Sequence, residues 1–473
     1  MSKTVLTFIA DTHHYSKTLG VSGEAYTLRS DSDQKCLAET GEIIDSAFEK
    51  IGNSDCDAVM IVGDLSNDGE RVSHEEFREK LYKLKEKKNV YVVTATHDWC
   101  CDRNPRRFEG DKVYNDVPII DHNELYDFYY DFGVNDAYAE YKTTLGPASY
   151  AVDIGENVTL LALNDDKNGR GGAGFKKAHL EWILEQIKDA VSRGRVPVAM
   201  EHHLLYPHIS PLITKHASVR NGEEILNKMA DAGLRFVFVG HSHMQRIDRH
   251  TSPAGNTIYE INVGSLVGYP APIVTMTVED GGISVDTEHL KECTVDGEKT
   301  DLTKFLADHA TRVISVVFDA AAGGDREQLT KRFGALNVKR DTIDKYYFIL
   351  APVLRGISSL TVGKAGKFLN AVTFGKAVSK DSVNALSDTK VTEIIGKAFL
   401  SFLDGSLQKY SSQDDFYKVV KGTLGLPLRV CRTFRLNGKA SKVFFELDRI
   451  AEELLTGGEL DNNHLYIRSD IYV

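Results

Sequence analysis

The sequence predicts an α/β domain followed by a mainly helical region, and three observations carry that expectation. Five short apolar runs, at residues 5–10, 58–62, 90–95, 196–200 and 235–239, are rich in β-branched or aromatic residues and have the length of buried strands. Between them, residues 39–50, 74–88, 176–192 and 222–232 place apolar residues three and four apart, as in Leu180, Ile183, Leu184 and Ile187, which is helical spacing. Strand alternating with helix is the signature of an α/β domain. Beyond about residue 297 the pattern is helical only, with amphipathic stretches at 302–322, 381–403 and 442–455 and breaks at 356–375 and 422–438. The expected division is therefore a domain over 1–296 and a mainly helical one over 297–473.

Length and composition narrow the class. The chain has 473 residues, 42% hydrophobic and 26% charged, so a folded chain of two or three domains is expected and a disordered or fibrous one is excluded. A net charge of −11 argues against a protein that coats duplex nucleic acid, which needs excess cation. Residues 5–10 are too short for a signal sequence and no run of 18 apolar residues occurs, so the expected setting is the cytoplasm, without a membrane partner. Six cysteines without repeated spacing make no disulfide framework.

The chemistry lies where each apolar run ends: Asp11-Thr12-His13, Gly63-Asp64, Thr96-His97-Asp98, His202-His203 and Gly240-His241-Ser242-His243. In open α/β sheets ligands bind outside the carboxyl ends of the strands, so five distant segments can converge on one crevice. Asp carboxylates and neutral imidazoles suit divalent manganese, iron or zinc, and one Asp between two ions can bridge them. Each cluster alone is also a plain turn or cap, since Gly-Asp after a strand is a common way to start a helix. It is the set of five that points to a metal centre.

Taken in order, these residues resemble the calcineurin-like metallophosphoesterases, whose pattern is D-x-H, G-D, G-N-H-[DE], a lone H and G-H-x-H. The likeness runs from about residue 5 to 278. Gly63-Asp64-Leu65-Ser66-Asn67-Asp68-Gly69-Glu70, Asp131-Phe132-Gly133 and Gly264-Ser265-Leu266 are similar to the bacterial branch that includes class III cyclic-nucleotide phosphodiesterases. The resemblance implies an αββα fold, two sheets packed as a sandwich and flanked by helices. It also implies two divalent cations, with Asp11, His13 and His243 on the first, Asp64 between them, and Thr96, His202 and His241 on the second. His97 would protonate the departing oxygen, with Asp98 orienting its ring. The implied function is hydrolysis of a phosphoric ester, a cyclic nucleotide or similar small phosphodiester above a phosphoprotein.

One position departs from the pattern. Thr96 stands where the family carries a metal-binding Asn, and a neutral hydroxyl is a weaker donor with a shorter reach, so the second site is expected to be weak. That keeps a second reading open, a protein-recognition module on the same fold whose helical domain makes the contact. Substrate-binding candidates are His203, His208 on the loop beyond it, and Arg103, one of several arginines after His97. Asn164 and Asp165, at the end of a strand near 159–163, face the same side. From Lys418 to Lys442 seven cations occur without an acid, readable as a basic wall or as a solvated face. Nothing in the sequence bears on oligomeric state.

Overall fold

The computed structural model describes residues 3–143, 146–210, 217–335, 340–372, 378–405, 410–433, 439–456 and 460–468. Two sheets stack face to face. The first runs, edge to edge, His464–Arg468, Gly282–His289, Pro272–Glu279, Thr4–Ile9, Ala58–Val62 and Asn89–Val93. Its last three strands are parallel and the others antiparallel. The second runs Arg246–Thr251, Thr257–Asn262, Phe236–Val239, Val196–Met200, Val158–Ala162, Ala148–Ile154 and Ala139–Lys142, with its four central strands parallel.

Alternation along each strand builds the layers. Ala58, Met60 and Val62 point into the space between the sheets, while Val59 and Ile61 point outward under the helices. In the second sheet Phe236 and Phe238 face inward and Val237 and Val239 outward. Phe8 and Phe238 stack across the middle, ring centroids 3.5 Å apart. Helices Thr40–Gly52 and Arg71–Lys85 cover the first sheet, and Lys177–Ser192 and Gly222–Ala232 cover the second, giving the αββα sandwich that the resemblance implied.

The region after 297 is helical, but its elements differ from expectation in three places. Residues 381–403 form two helices, Lys380–Ala385 and Val391–Asp404, because polar residues 387–390 turn back to pair with the chain near Thr361. The expected break at 356–375 is largely occupied by helices Arg340–Ser358 and Val362–Val372. Its glycines serve packing: a Cβ at Gly363 would lie 2.8 Å from the Ser387 carbonyl, and one at Gly366 2.4 Å from Val383. Close approach there outweighs the roughly 1 kcal/mol that glycine costs a helix. The break at 422–438 likewise holds most of helix Asp415–Thr433. Of the basic stretch, Lys421 pairs with Asp448 and Glu452 at 2.5 and 3.0 Å, whereas the side chains of Arg429, Arg432, Arg435, Lys439 and Lys442 lie outside the described residues.

The 296/297 boundary falls on the turn of a hairpin, Glu292–Val295 with Glu298–Asp301. Leu302 and Leu306 of the next helix, Leu302–Gly323, are buried in the outer core of the first sheet, and His464–Arg468 is an edge strand of that same sheet. Among the described residues no helix is long and apolar enough to cross a membrane.

Candidate metal centre

The carboxyl ends of three strands from the first sheet and two from the second meet at one edge of the sandwich, and all five Asp/His clusters stand there. Backbone bonds hold the first two loops side by side: Asp11 N donates to Gly63 O (3.3 Å) and His13 N to Asp64 O (2.9 Å). Asp11, His13, Asp64, His241 and His243 all take positive φ, between 38° and 65°. Side-chain-bearing residues rarely occupy that region, and such strain clusters where function demands a geometry. Two glycines make the approach possible. A Cβ at Gly63 would lie 2.3 Å from His202 Nδ1, and one at Gly240 2.5 Å from Asp11 Oδ2.

Three overlapping groups of three result, Asp11/His13/His243, Asp64/His202/His241 and, between them, His13/Asp64/His97. In the first, Asp11 Oδ1 lies 3.6 Å from His13 Nε2 and 3.3 Å from His243 Nε2, and those two nitrogens are 3.1 Å apart. In the second, His202 Nε2 lies 3.0 Å from Asp64 Oδ2 but off any hydrogen-bond line, with His241 alongside. Asp64 Oδ2 is also 3.8 Å from His13 Nε2, so it stands between the groups. Each trio could hold a metal ion.

The electrostatics fit a cation. Burial works against charge on Asp11, but His243 and hydrogen bonding to His13 outweigh it and keep the carboxyl ionised. Asp64 is held low in the same way, chiefly by His202. Burial, helped by the charge of Lys35, pushes His13 down to about 3, and burial with His203 drives His241 well down, so both present neutral lone pairs. His202 moves the other way: against burial, Asp64 draws a proton onto it and raises it to about 10. The pocket thus favours positive charge between Asp64 and His202, and His202 Nδ1 donates to Val62 O (3.0 Å), which orients Nε2 inward. Gln34 lies against His243 Nδ1 with its amide oxygen unpartnered; a half-turn of that amide pairs the oxygen with an Nδ1 proton and frees Nε2 as a donor.

Thr96 is half-buried in the loop before His97, and its carbonyl accepts from Cys101 N (3.0 Å). His97 is brought against Asp64 and His13, and its backbone N–H donates to Asp64 Oδ1 (3.1 Å). Asp98, expected to orient the His97 ring, does not. Its carboxylate accepts from Ser66 N (2.9 Å) and Ala95 N (2.8 Å), closing the loop from within, and burial with the charge of Asp64 raises it to about 7. His97 Nδ1 instead donates to Asn67 O and lies 3.6 Å from Asp68 Oδ1, a carboxylate that Arg106 grips with two nitrogens at 2.7–3.0 Å.

Of the substrate candidates, His203 is at the site. Its ring lies 4.3 Å from that of His241, and its Nδ1 faces Asp165 (3.0 Å). Beside it opens a cleft of about 1220 Å³ lined also by Lys167, Asn168, Arg220 and Asn221. His208 is not a substrate contact: fully buried, it is gripped by Asp248 (2.5 Å) and Glu260 (2.7 Å). Arg103 pairs with Asp121 (3.2 Å) on the surface, and Arg106 is the arginine that turns inward. Sequence reasoning missed Gln34, which reaches His243 from a loop with no apolar run to flag it.

The sequence profile of the calcineurin-like phosphoesterases matches residues 4–245. Similar solved structures include a dimetal phosphatase from Danio rerio, at 12% identity and a TM-score of 0.42, covering 60% of this chain and 96% of that one. Purple acid phosphatase PPD1 from yellow lupin seeds gives 12% and 0.41, covering 63% and 53%, and a 5'-nucleotidase precursor from Thermus thermophilus gives 12% and 0.37, covering 67% and 60%. No curated protein matches the sequence. With the profile matched over more than half of its 473 residues, the chain belongs to the calcineurin-like phosphoesterase family.

Proposed function

We propose that the protein hydrolyses a small phosphodiester, such as a cyclic nucleotide, at a centre of two divalent cations drawn from manganese, iron and zinc. The observation that carries this is the pair of Asp/His trios with Asp64 between them. Asp11, His13 and His243 would hold one cation and His202 with His241 the other, with Asp64 shared and Thr96 a weak contributor. When bound, two such cations neutralise phosphate charge and acidify water. The chain's own residues do the rest. His97, with Nδ1 committed to Asn67 O, presents Nε2; Asp64 and Asp68 outweigh burial and raise it, favouring the protonated ring that gives a proton to the departing oxygen. His203, held by Asp165, and the cleft beside it offer space for the leaving group, which supports a diester carrying substituents on both sides of phosphorus. A cytoplasmic setting fits the free thiols of Cys36, Cys56, Cys100, Cys101 and Cys293.

The test compares metal-stripped protein, manganese-restored protein and Asp64→Asn on an activated phosphodiester and its monoester counterpart. Restored wild type is expected to cleave the diester faster, and Asp64→Asn to lose roughly ten-thousandfold, because both cations lose a ligand. Faster monoester cleavage would overturn the diester assignment. Bound metal without turnover would favour the protein-recognition reading that Thr96 keeps open.

A further inference from the structure

Gln34 belongs to none of the five strand ends, yet its side chain meets the ligand His243 at Nδ1, while Nε2 of the same ring lies 3.3 Å from Asp11 Oδ1. For Nε2 to offer a lone pair to a cation, Nδ1 must carry the proton of the neutral ring, and that proton needs an acceptor. The buried oxygen of the Gln34 amide has no other partner and supplies one once the amide is turned. A Cβ at position 268 would lie 2.1 Å from the end of that amide, so Gly268 is what leaves it its place.

The loop that presents Gln34 follows helix Glu24–Ser30 and is anchored from two directions. On the sandwich side, Cys36 N donates to Val267 O (2.9 Å), beside Gly268. From the helical region, Arg312 and Arg332, on two successive helices, close on the buried carboxylate of Asp31 at 2.6 and 2.5 Å, and His309 Nε2 donates to Asp33 O (2.9 Å). Within the loop, the Asp33 carboxylate accepts from Lys35 N (3.1 Å) and pairs with Arg29 (2.7 Å), which fixes the turn on which Gln34 sits. The chain is thus held on both flanks of the residue that touches His243. Metal ligands have to be placed to within about 0.5 Å, so what fixes this loop bears on the ligand.

We propose that Gln34 is the positioning residue of His243, fixing the tautomer and ring plane that the first cation requires, and that the helical region sets the affinity of that cation by pinning the Gln34 loop. This rests on the two-cation reading and places a determinant of it outside the family pattern. It gives the helices a part in the chemistry although all the proposed ligands lie before residue 244. A displaced His243 would leave the first cation less firmly held, and with it the phosphate that it neutralises, so KM rises as well.

The experiment titrates manganese into metal-stripped, full-length protein by calorimetry, with bound manganese and melting temperature measured alongside. In wild type the tighter step belongs to the first trio, since Thr96 weakens the second. Gln34→Leu is expected to weaken the tighter step by about ten- to a hundredfold with the weaker step changed less than about threefold. Gln34→Glu, whose carboxylate also accepts from Nδ1, should stay within about threefold of wild type at both. Arg312→Met combined with Arg332→Met should weaken the tighter step by about three- to tenfold. An unchanged tighter step in Gln34→Leu overturns the assignment, and so does an equal loss at both steps in Gln34→Leu and Gln34→Glu, the mark of a general loosening. An unchanged tighter step in the arginine pair, or in His309→Leu should that pair not fold, overturns the part given to the helical region. If Gln34→Leu does not fold, Gly268→Ala decides by the same criterion, because its methyl group would push the amide off His243. Wild type that binds no manganese fails the two-cation reading and the proposal with it. Wild type that binds two ions and hydrolyses nothing fails the hydrolase reading alone, and the titrations still decide on Gln34.

Discussion

The sandwich and the helical region are held together by different forces. In the sandwich, apolar layers run without interruption from the outer helices through both sheets, and the metal centre hangs from strand ends that those layers immobilise. Among the described residues the helical region forms only small apolar clusters of its own: Ala321, Leu329 and Ala351 make one, Val378 and Val383 another. Its grip on the sandwich is partly apolar, through Leu302 and Leu306, the edge strand His464–Arg468 and the packing of Ile450 and Phe402 on Ile209 and Met244, and partly ionic. Asp31, buried, binds Arg312 at 2.6 Å and Arg332 at 2.5 Å; Lys331 pairs with Glu24 (2.6 Å), and Arg246 with Glu453. The lesson is that packing fixes the strand side of the site, while the loop carrying Gln34 is tied down by hydrogen bonds and by the ion pairs of Asp31.

The comparison can be broken most sharply in the core. Phe238→Ala removes one ring of the stack with Phe8 and is expected to cost about 3–5 kcal/mol in chemical denaturation. Leu329→Ala in the helical cluster should cost less, and equal costs would mean the two regions are built alike. Next comes pH. Burial opposes charge on His208, but Asp248 and Glu260 raise it to about 9 from a model-peptide value of 6.5. A raised folded value means stability fully present below about pH 6.5 and lost as pH rises through 9, roughly 3 kcal/mol in all. Melting temperature between pH 6.5 and 10 should fall less steeply in His208→Gln than in wild type; parallel curves would contradict the ionic account.

Smaller effects sharpen it further. Asp31→Asn frees Arg312 and Arg332 and is expected to raise KM about fivefold, with faster amide exchange confined to residues 31–37, and high salt should produce the same shift in wild type. Unchanged kinetics and exchange would show that the helical region does not steady the loop. The least effect concerns the second cation: Thr96→Asn should tighten manganese at the weaker step of a titration by about tenfold, and an unaltered isotherm would mean that Thr96 was never the deficit.

Much of the sandwich was readable because a buried strand writes its length in apolar residues and a metal ligand follows where the run stops. Helix 222–232 came out with its expected limits for the same reason, an unambiguous apolar face. What escaped is set by tertiary position. Asp98 is next to His97 in sequence, yet the turn points its carboxylate at Ser66 and Ala95, and the more distant Asp68 takes the place behind the ring. His208 has the look of a loop contact until Asp248 and Glu260 enclose it. Gln34 carries no periodic signal at all, and Gly363 and Gly366 punctuate the sequence while sitting inside a helix.

The strand His464–Arg468 pairs with Gly282–His289 along the outer edge of the first sheet. During synthesis every other strand of that sheet leaves the ribosome at least some 170 residues earlier, so the growing chain carries an open β edge until residues 464–468 emerge. Premature termination anywhere in the helical region, or proteolytic removal of it, would leave the metal ligands intact on a sheet whose flank invites pairing with another chain.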